Sequence, residues 1–250
     1  MPSRIWLVAM SVLFAGCSTA GDMAYLNMAP EQILAQGGEK LKQGRYEEAR
    51  TALEKIRERD AGAHIGAATQ IRIADSYYAE GRFADAAGEY KRFLELYPYN
   101  RIASYAQYQL AMCSFKQIDS PDRTPEHAEK ALAEFEALLS RYPQSPYADE
   151  TREKIAACKD HLAEHEYLIG QFYYKKGAYQ AALSRFDHLL DKYAHAKVEP
   201  SALYHALLSA AELGKREDAA RYGDRLAREF PASPYAAQAA RRLGLHSALR

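Results

Sequence analysis

The chain has 250 residues, 48% apolar and 26% charged, enough to bury a sizeable core and too rich in apolar side chains for a disordered tail. Lys plus Arg and Asp plus Glu both number 33, so the formal charge is zero. With no long run of one sign, that balance excludes the electrostatic footprint of a nucleic-acid-binding protein. Three cysteines, Cys17, Cys113 and Cys158, make an odd count that sets one of them apart.

The N-terminus indicates which. Arg4 supplies a positive start, and Ile5 to Phe14 is an apolar run of about ten residues, long enough for a signal segment but short of the roughly 20 needed to span a bilayer. It ends in Leu13-Phe14-Ala15-Gly16-Cys17-Ser18, which resembles the lipobox of bacterial lipoproteins, with Phe where that pattern usually has Leu. The resemblance implies that residues 1–16 are a cleaved signal peptide and that Cys17 is acylated, with residues 17–30 as a linker. Acyl chains, worth roughly 0.8 kcal/mol per buried methylene, hold such a chain at a membrane. Ser18 stands where an Asp would resemble an inner-membrane retention signal, so the outer membrane is the expected destination. These covalent acyl chains are the only non-protein group expected; no cofactor or metal is read from the sequence.

From Pro30 onward the chain repeats itself. Gly-Arg-Tyr-Glu-Glu-Ala at 44–49, Gly-Arg-Phe-Ala-Asp-Ala at 81–86, Gly-Ala-Tyr-Gln-Ala-Ala at 177–182 and Gly-Lys-Arg-Glu-Asp-Ala at 214–219 each read as a helix-ending glycine followed by a new helix. Beyond the alanine an aromatic recurs, usually before Pro: Tyr97-Pro98 after Ala86, Tyr142-Pro143 after Ala131, Tyr193 after Ala182 and Phe230-Pro231 after Ala219. The Ala131 copy has lost its glycine to an insertion. This register resembles the tetratricopeptide repeat, a helix–turn–helix unit of about 34 residues. The glycine takes the left-handed conformation, the alanine lets two helices approach, and the proline ends the second helix. Tyr90, Phe135 and Phe186 are expected to fill the seams.

Two linkers, Tyr142-Pro-Gln-Ser145-Pro146-Tyr147-Ala148 and Phe230-Pro-Ala-Ser233-Pro234-Tyr235-Ala236, pair a favoured N-cap with a favoured first helical residue. The fold expected is all-α, a tetratricopeptide-repeat solenoid of about five repeats, with a capping helix from about Pro234. Two departures stand out: the Gln117–Glu126 loop, and an uninterrupted helical stretch from about Tyr147 to Lys176.

The ordered combination of lipobox, five repeats, Asp122-Arg123-Thr124-Pro125-Glu126-His127-Ala128, the helix from Lys159-Asp160-His161-Leu162 to Glu166-Tyr167, and Tyr173-Tyr174-Lys175-Lys176-Gly177-Ala178 resembles the BamD family. Those are tetratricopeptide-repeat lipoproteins of the β-barrel assembly machinery, and the likeness covers nearly the whole mature chain. It implies a periplasm-facing scaffold on the outer membrane, joined by other lipoproteins of that machinery. Residues 144–250 would then dock the periplasmic domain of BamA nearest the barrel, and repeats within 31–143 would form a groove for unfolded outer-membrane proteins. Arg185 sits where the family carries an arginine important for the BamA contact. Lys176 replaces an Arg before the glycine, keeping the charge and losing the bidentate fork. The 122–128 loop is shorter than the family's and lacks its aromatic tip, and Arg59 to His64 lacks the usual aromatic-Pro turn.

Independently of the family, Tyr77, Tyr78, Tyr105 and Tyr108 fall in the first helices of repeats two and three, the helices that line the concave face of such stacks. Tyrosine offers rigid amphipathic contact for an extended peptide, and about half of such side chains are expected in the seams instead. His161-Leu-Ala-Glu-His165 matches the H-x-x-E-H pattern of inverted zinc peptidases. It lies midway along a charged helix with no further motif to supply a third ligand, so a binding protein rather than an enzyme is read. Cys113 and Cys158 could pair in an oxidising compartment, but they lie on different repeats some 45 residues apart, and buried free thiols are the preferred reading. The competing reading is a repeat lipoprotein acting as a pilotin or scaffold in pilus, secretion or polysaccharide-export machines.

Overall fold

The computed structural model describes residues 25–59 and 62–244; residues 1–16, read above as a signal peptide, and Cys17 lie outside them. The described residues form eleven α-helices and no strand: α1 Pro30–Lys42, α2 Tyr46–Arg57, α3 Ala63–Ala79, α4 Phe83–Leu96, α5 Ala103–Phe115, α6 Glu126–Arg141, α7 Ala148–Lys175, α8 Tyr179–Lys192, α9 Glu199–Glu212, α10 Arg216–Glu229 and α11 Pro234–Arg242. The fold is all-α, as the repeats require. No helix among the described residues is long and apolar enough to cross a membrane.

The repeat glycines do what their spacing predicts. Gly44, Gly81, Gly177 and Gly214 all have φ between 72° and 79°. At each, the glycine N–H and the next N–H bond back into the preceding helix, as in Arg82 to Tyr77 O with Gly81 to Tyr78 O. This double closure caps the helix and needs a left-handed residue that a Cβ would strain. The aromatic landmarks also share one geometry. Tyr97, Tyr142, Tyr193 and Phe230 cap α4, α6, α8 and α10 with φ of −132°, −131°, −125° and −131°. Tyr193 lacks the following proline, and there the chain turns through His195 at φ 69°, whose N–H is held by the Glu199 carboxylate at 2.5 Å.

The chain divides into two compact units, up to Ser76 and from Tyr77. In the first, Ile33, Leu53, Ile56 and Ile73 are fully buried. The α1 and α2 backbones close on Gly37, where a Cβ would lie 2.8 Å from Leu53 Cδ2. In the second, the landmark alanines Ala86, Ala131 and Ala182 are fully buried, as are the rings one turn later, Tyr90, Phe135 and Phe186. Each such ring contributes roughly 1.5–3 kcal/mol on burial. The equivalent place after Ala219 is Gly223, and Leu243 at the end of α11 packs into that space. A cap residue thus replaces the missing ring.

The 28-residue helix α7 is about 42 Å long. Its N-terminal half, through Ile155 and Cys158, joins the core of Tyr108, Ala131, Phe135 and Leu138. Its C-terminal half, through Leu162, Ala163 and Tyr167, joins the core of Ala182, Phe186 and Leu189. Packing therefore runs without a break across residue 143. One linker reading needs correction. Ser233 caps α11 with Pro234 first in the helix, its Oγ accepting the Tyr235 N–H at 3.3 Å. Ser145 accepts the Tyr147 N–H at 3.2 Å, but Ala148 N–H closes a separate turn onto Ser145 O, and α7 opens only at Ala148. The Tyr147 ring, stacked on Tyr108 at 4.9 Å, accompanies this extra turn.

Candidate partner-binding surfaces

The four tyrosines read as groove residues divide. Tyr108 is 6% exposed; its hydroxyl donates to Glu150 Oε1 at 2.5 Å and its ring lies against Phe135 and Tyr147. Burial and the Glu150 carboxylate both push its phenol up. Tyr108 is a seam residue with little surface to offer a peptide, which corrects its placement in the groove. Tyr78 is half-buried, edge-on to Phe83 at 5.3 Å and packed onto the same core. Tyr77 and Tyr105 are also half-buried and keep part of their surface open. The Arg82 guanidinium lies 4.7 Å from the centre of the Tyr77 ring, and Tyr105 meets Tyr90 and Tyr147 edge-on or tilted.

The H-x-x-E-H motif has a structural task. His161 Nε2 lies 2.7 Å from Asp119 O and His165 Nδ1 lies 2.7 Å from Pro121 O. A carbonyl only accepts, so both nitrogens carry hydrogen and donate. Two histidines four apart on α7 thereby pin the 117–125 loop along the helix. His161 Nδ1, the remaining ring nitrogen, is buried without a partner. The loop and α7 together wall a cleft of about 350 Å³ lined by Pro121, His165, Leu168, Ile169 and Phe172. Among the described residues no group of three or more His, Cys, Asp or Glu could hold a metal.

Arg185 on α8 donates from Nη1 to Glu166 Oε2 on α7 at 3.2 Å; its side chain is 44% exposed and that of Glu166 14%. The acid orients the guanidinium at the surface and uses one of five N–H donors. Lys176 caps α7, its ammonium 5.8 Å from the centre of the Phe172 ring, itself 56% exposed. Neither Glu166 nor Phe172 stands out in the sequence: Glu166 lies 19 residues before its partner, and Phe172 reads as one aromatic of a run. The thiols of Cys113 and Cys158 are buried and free, both pushed up to about 12 by burial. Buried free thiols are the preferred reading of the sequence; burial of this kind also disfavours the thiolate.

A further network surrounds Glu199, which is 1% exposed. It accepts from His195 N–H and from Arg225 of α10. His205 on α9 is enclosed by the rings of Tyr167, Tyr174, Phe186 and Tyr204. Its Nδ1–H donates to Ser201 O at 2.8 Å, and burial lowers its pKa.

Comparison with known proteins gives this geometry a family. Residues 26–226 match the YfiO family, described as outer membrane lipoprotein. The chain is 31% identical over 228 residues to the outer membrane protein assembly factor BamD of Caulobacter vibrioides, covering 90% of this chain and 74% of that protein. It is 29% identical to the BamD of Vibrio cholerae over 83% of this chain and 90% of the relative. For the BamD of Neisseria meningitidis serogroup A the identity is 25%, over 94% of each. Among solved structures it is similar to the TPR2AB-domain:pHSP90-complex of yeast Sti1, at 14% identity and TM-score 0.47, covering 86% of this chain and 84% of that one. On the match across residues 26–226, the chain belongs to the YfiO (BamD) family of outer membrane lipoproteins.

Proposed function

We propose that this protein is a non-catalytic scaffold of the β-barrel assembly machinery, held by acyl chains on Cys17 to the outer membrane and facing the periplasm. The observation that carries the reading is the family match through almost the whole helical part of the chain. The machinery's other lipoproteins and BamA are its partners, and unfolded outer-membrane proteins its clients. Residues 144–250 hold BamA, with Arg185 presenting its outward N–H donors to an acidic side chain and Lys176 adding charge beside Phe172. A guanidinium already oriented by Glu166 loses less freedom on docking than an unrestrained one. Affinity purification from detergent-solubilised envelopes is expected to recover BamA; pilus or export components in its place would support the rival assignment. Arg185→Glu, which repels Glu166 as well as the partner acid, is expected to weaken BamA capture with the helical spectrum unchanged. Undiminished capture would exclude the role.

The client surface lies within residues 31–143, on the exposed parts of Tyr77 and Tyr105. Alanine at both is expected to weaken binding of an unfolded outer-membrane protein segment by about 5- to 150-fold, since each aromatic contact is worth about 0.5–1.5 kcal/mol. Equal binding by wild type and double variant places the clients elsewhere.

A further inference from the structure

The segment between the proposed anchor and the first helix is not left loose where the structure begins. Arg59, just beyond α2, donates from Nη1 to Met28 O at 3.0 Å and from Nη2 to Tyr25 O. Met28 N–H bonds Tyr25 O at 3.2 Å, and Ala29 N–H bonds the Gln32 side chain at 3.1 Å, so residues 25–29 are folded down as a closed turn. The two carbonyls lie 34 and 31 residues from Arg59 in sequence. Their joint capture needs the planar fork of a guanidinium, which a lysine ammonium lacks. Beside this clamp Leu26 is 60% exposed, one of few large apolar side chains so displayed among the described residues.

We infer that Arg59 is a strap that sets how far the first helical hairpin stands from the bilayer, and that the corner carrying Tyr25, Leu26 and Arg59 rests on the lipid surface. The inference depends on the acylation of Cys17 proposed above. Eight residues separate Cys17 from Tyr25, so whatever their conformation they span at most about 26–29 Å. With the strap closed, the hairpin stays within that distance of its anchor. With the strap open, the chain is free as far as Pro30, thirteen residues from Cys17, and the reach rises to at most about 43–47 Å. Leu26 faces the lipid at the end of the shorter tether, where an exposed leucine gains by entering the boundary between headgroups and acyl chains. The occupant is thus a phospholipid surface, identified by a fatty-acid anchor within one short tether of an apolar side chain.

The test uses the full lipidated protein in phosphatidylethanolamine–phosphatidylglycerol vesicles. A donor dye is placed on Glu31→Cys, an exposed site at the start of α1, and acceptors on the lipid headgroups; Cys113 and Cys158 are buried and stay unlabelled. The expected result is a narrow donor-to-surface distance in the parent and a distribution broadened outward by up to about 17 Å in Arg59→Ala. Arg59→Lys should fall between. A six-residue Gly-Ser insertion after Ser18, which leaves the clamp intact, should also lengthen the distance, and Leu26→Ser should lengthen it with the clamp closed. Identical distributions for the parent and Arg59→Ala, with circular dichroism unchanged, overturn the strap. If Arg59→Ala loses helicity, the judgement falls to the insertion and to Leu26→Ser: no change on the insertion overturns the tether as what sets the distance, and no change in Leu26→Ser overturns the lipid contact. The intact mass of each preparation reports acylation separately, so a mature chain without acyl groups refutes the anchor reading rather than the strap.

Discussion

Substituting alanine for Gly170 tests whether the contact of α7 with α8 positions the partner surface. A Cβ at Gly170 would lie 2.5, 2.8 and 2.9 Å from three atoms of the Phe186 ring. That ring is fully buried, with Tyr167 and His205 centred 6.0 and 5.8 Å away, so it has no open side to move into. Relieving the clash needs close to 1 Å of movement, and overpacking of this kind costs about 1–3 kcal/mol. Helix propensity opposes it, because alanine is better than glycine inside a helix by about 1 kcal/mol. With three ring atoms in the way the upper end of the strain applies, and Gly170→Ala is expected to destabilise by about 1–2 kcal/mol. Gly88 in α4 supplies the control: nothing lies within 4 Å of its added Cβ. There only the propensity gain acts, and Gly88→Ala should stabilise by about 0.5–1 kcal/mol. Urea unfolding of both variants measures the difference. Partner capture supplies a second readout, because Gly170 lies one turn beyond Glu166 while Phe186 adjoins Arg185. Forcing α8 off α7 disturbs the ion pair, so Gly170→Ala should weaken BamA capture under conditions where it remains folded. If the two alanine variants proved equally stable, the close approach would not constrain the helices and the reasoning would fail.

Two other predictions concern the buried polar groups of α9. Arg225→Met leaves the Glu199 carboxylate with only the His195 N–H, and removing one member of a buried ion pair costs about 3–5 kcal/mol; because Arg225 is 29% exposed, the lower end is expected. Adding Glu199→Gln should recover part of the loss in urea titrations, and a merely additive double variant would show that the pair is not coupled. His205 predicts a pH dependence: burial and the Lys175 charge lower its folded pKa, so between the unfolded value near 6.5 and the lowered folded one the unfolded state binds more protons. Its contribution is present above about pH 6.5 and is lost as pH falls through that window. His205→Gln should therefore lose less thermal stability than the parent between pH 7.5 and 5.5, and parallel losses would exclude His205 as the titrating group.

The helical register was legible because it rests on local chemistry. Gly44, Gly81, Gly177 and Gly214 each solve a left-handed turn, and Ala86, Ala131 and Ala182 each solve a close approach, so their spacing alone carries the pairing of helices. What was not legible depends on partners distant in sequence. Tyr108 and Tyr105 are three residues apart on one helix and both meet Tyr147, yet Glu150, some 40 residues on, draws only Tyr108 into the seam. The histidine pair of α7 shows the same limit from the other side. Its i, i+4 spacing announces a shared face correctly, but a metal and two loop carbonyls ask for the same spacing, and only the position of Asp119 and Pro121 decides between them. Leu243 beneath Gly223 is a third case: the absent ring is visible in the sequence, the residue that fills its place is not.

Helix α7 explains why two departures from the repeat length occur together. A helix of ordinary repeat length would end near the middle of α7, before the residues that meet α8. Continuing it without a break lets one rigid rod join two cores, with Cys158 in one and Leu162 in the other. The rod then carries Glu150 against Tyr108 near its start, the two histidines at its centre and Glu166 against Arg185 beyond them. Glu150 and Glu166 are separated by about 24 Å of helix with neither Gly nor Pro between them. The 117–125 loop, the other departure, lies along this rod and is fastened to it twice. An inserted loop tied at two backbone carbonyls costs less to order on binding than a loose one, because the chain entropy has already been lost in folding. The long helix is what makes such fastening available, since a shorter one would end before His165 reaches Pro121.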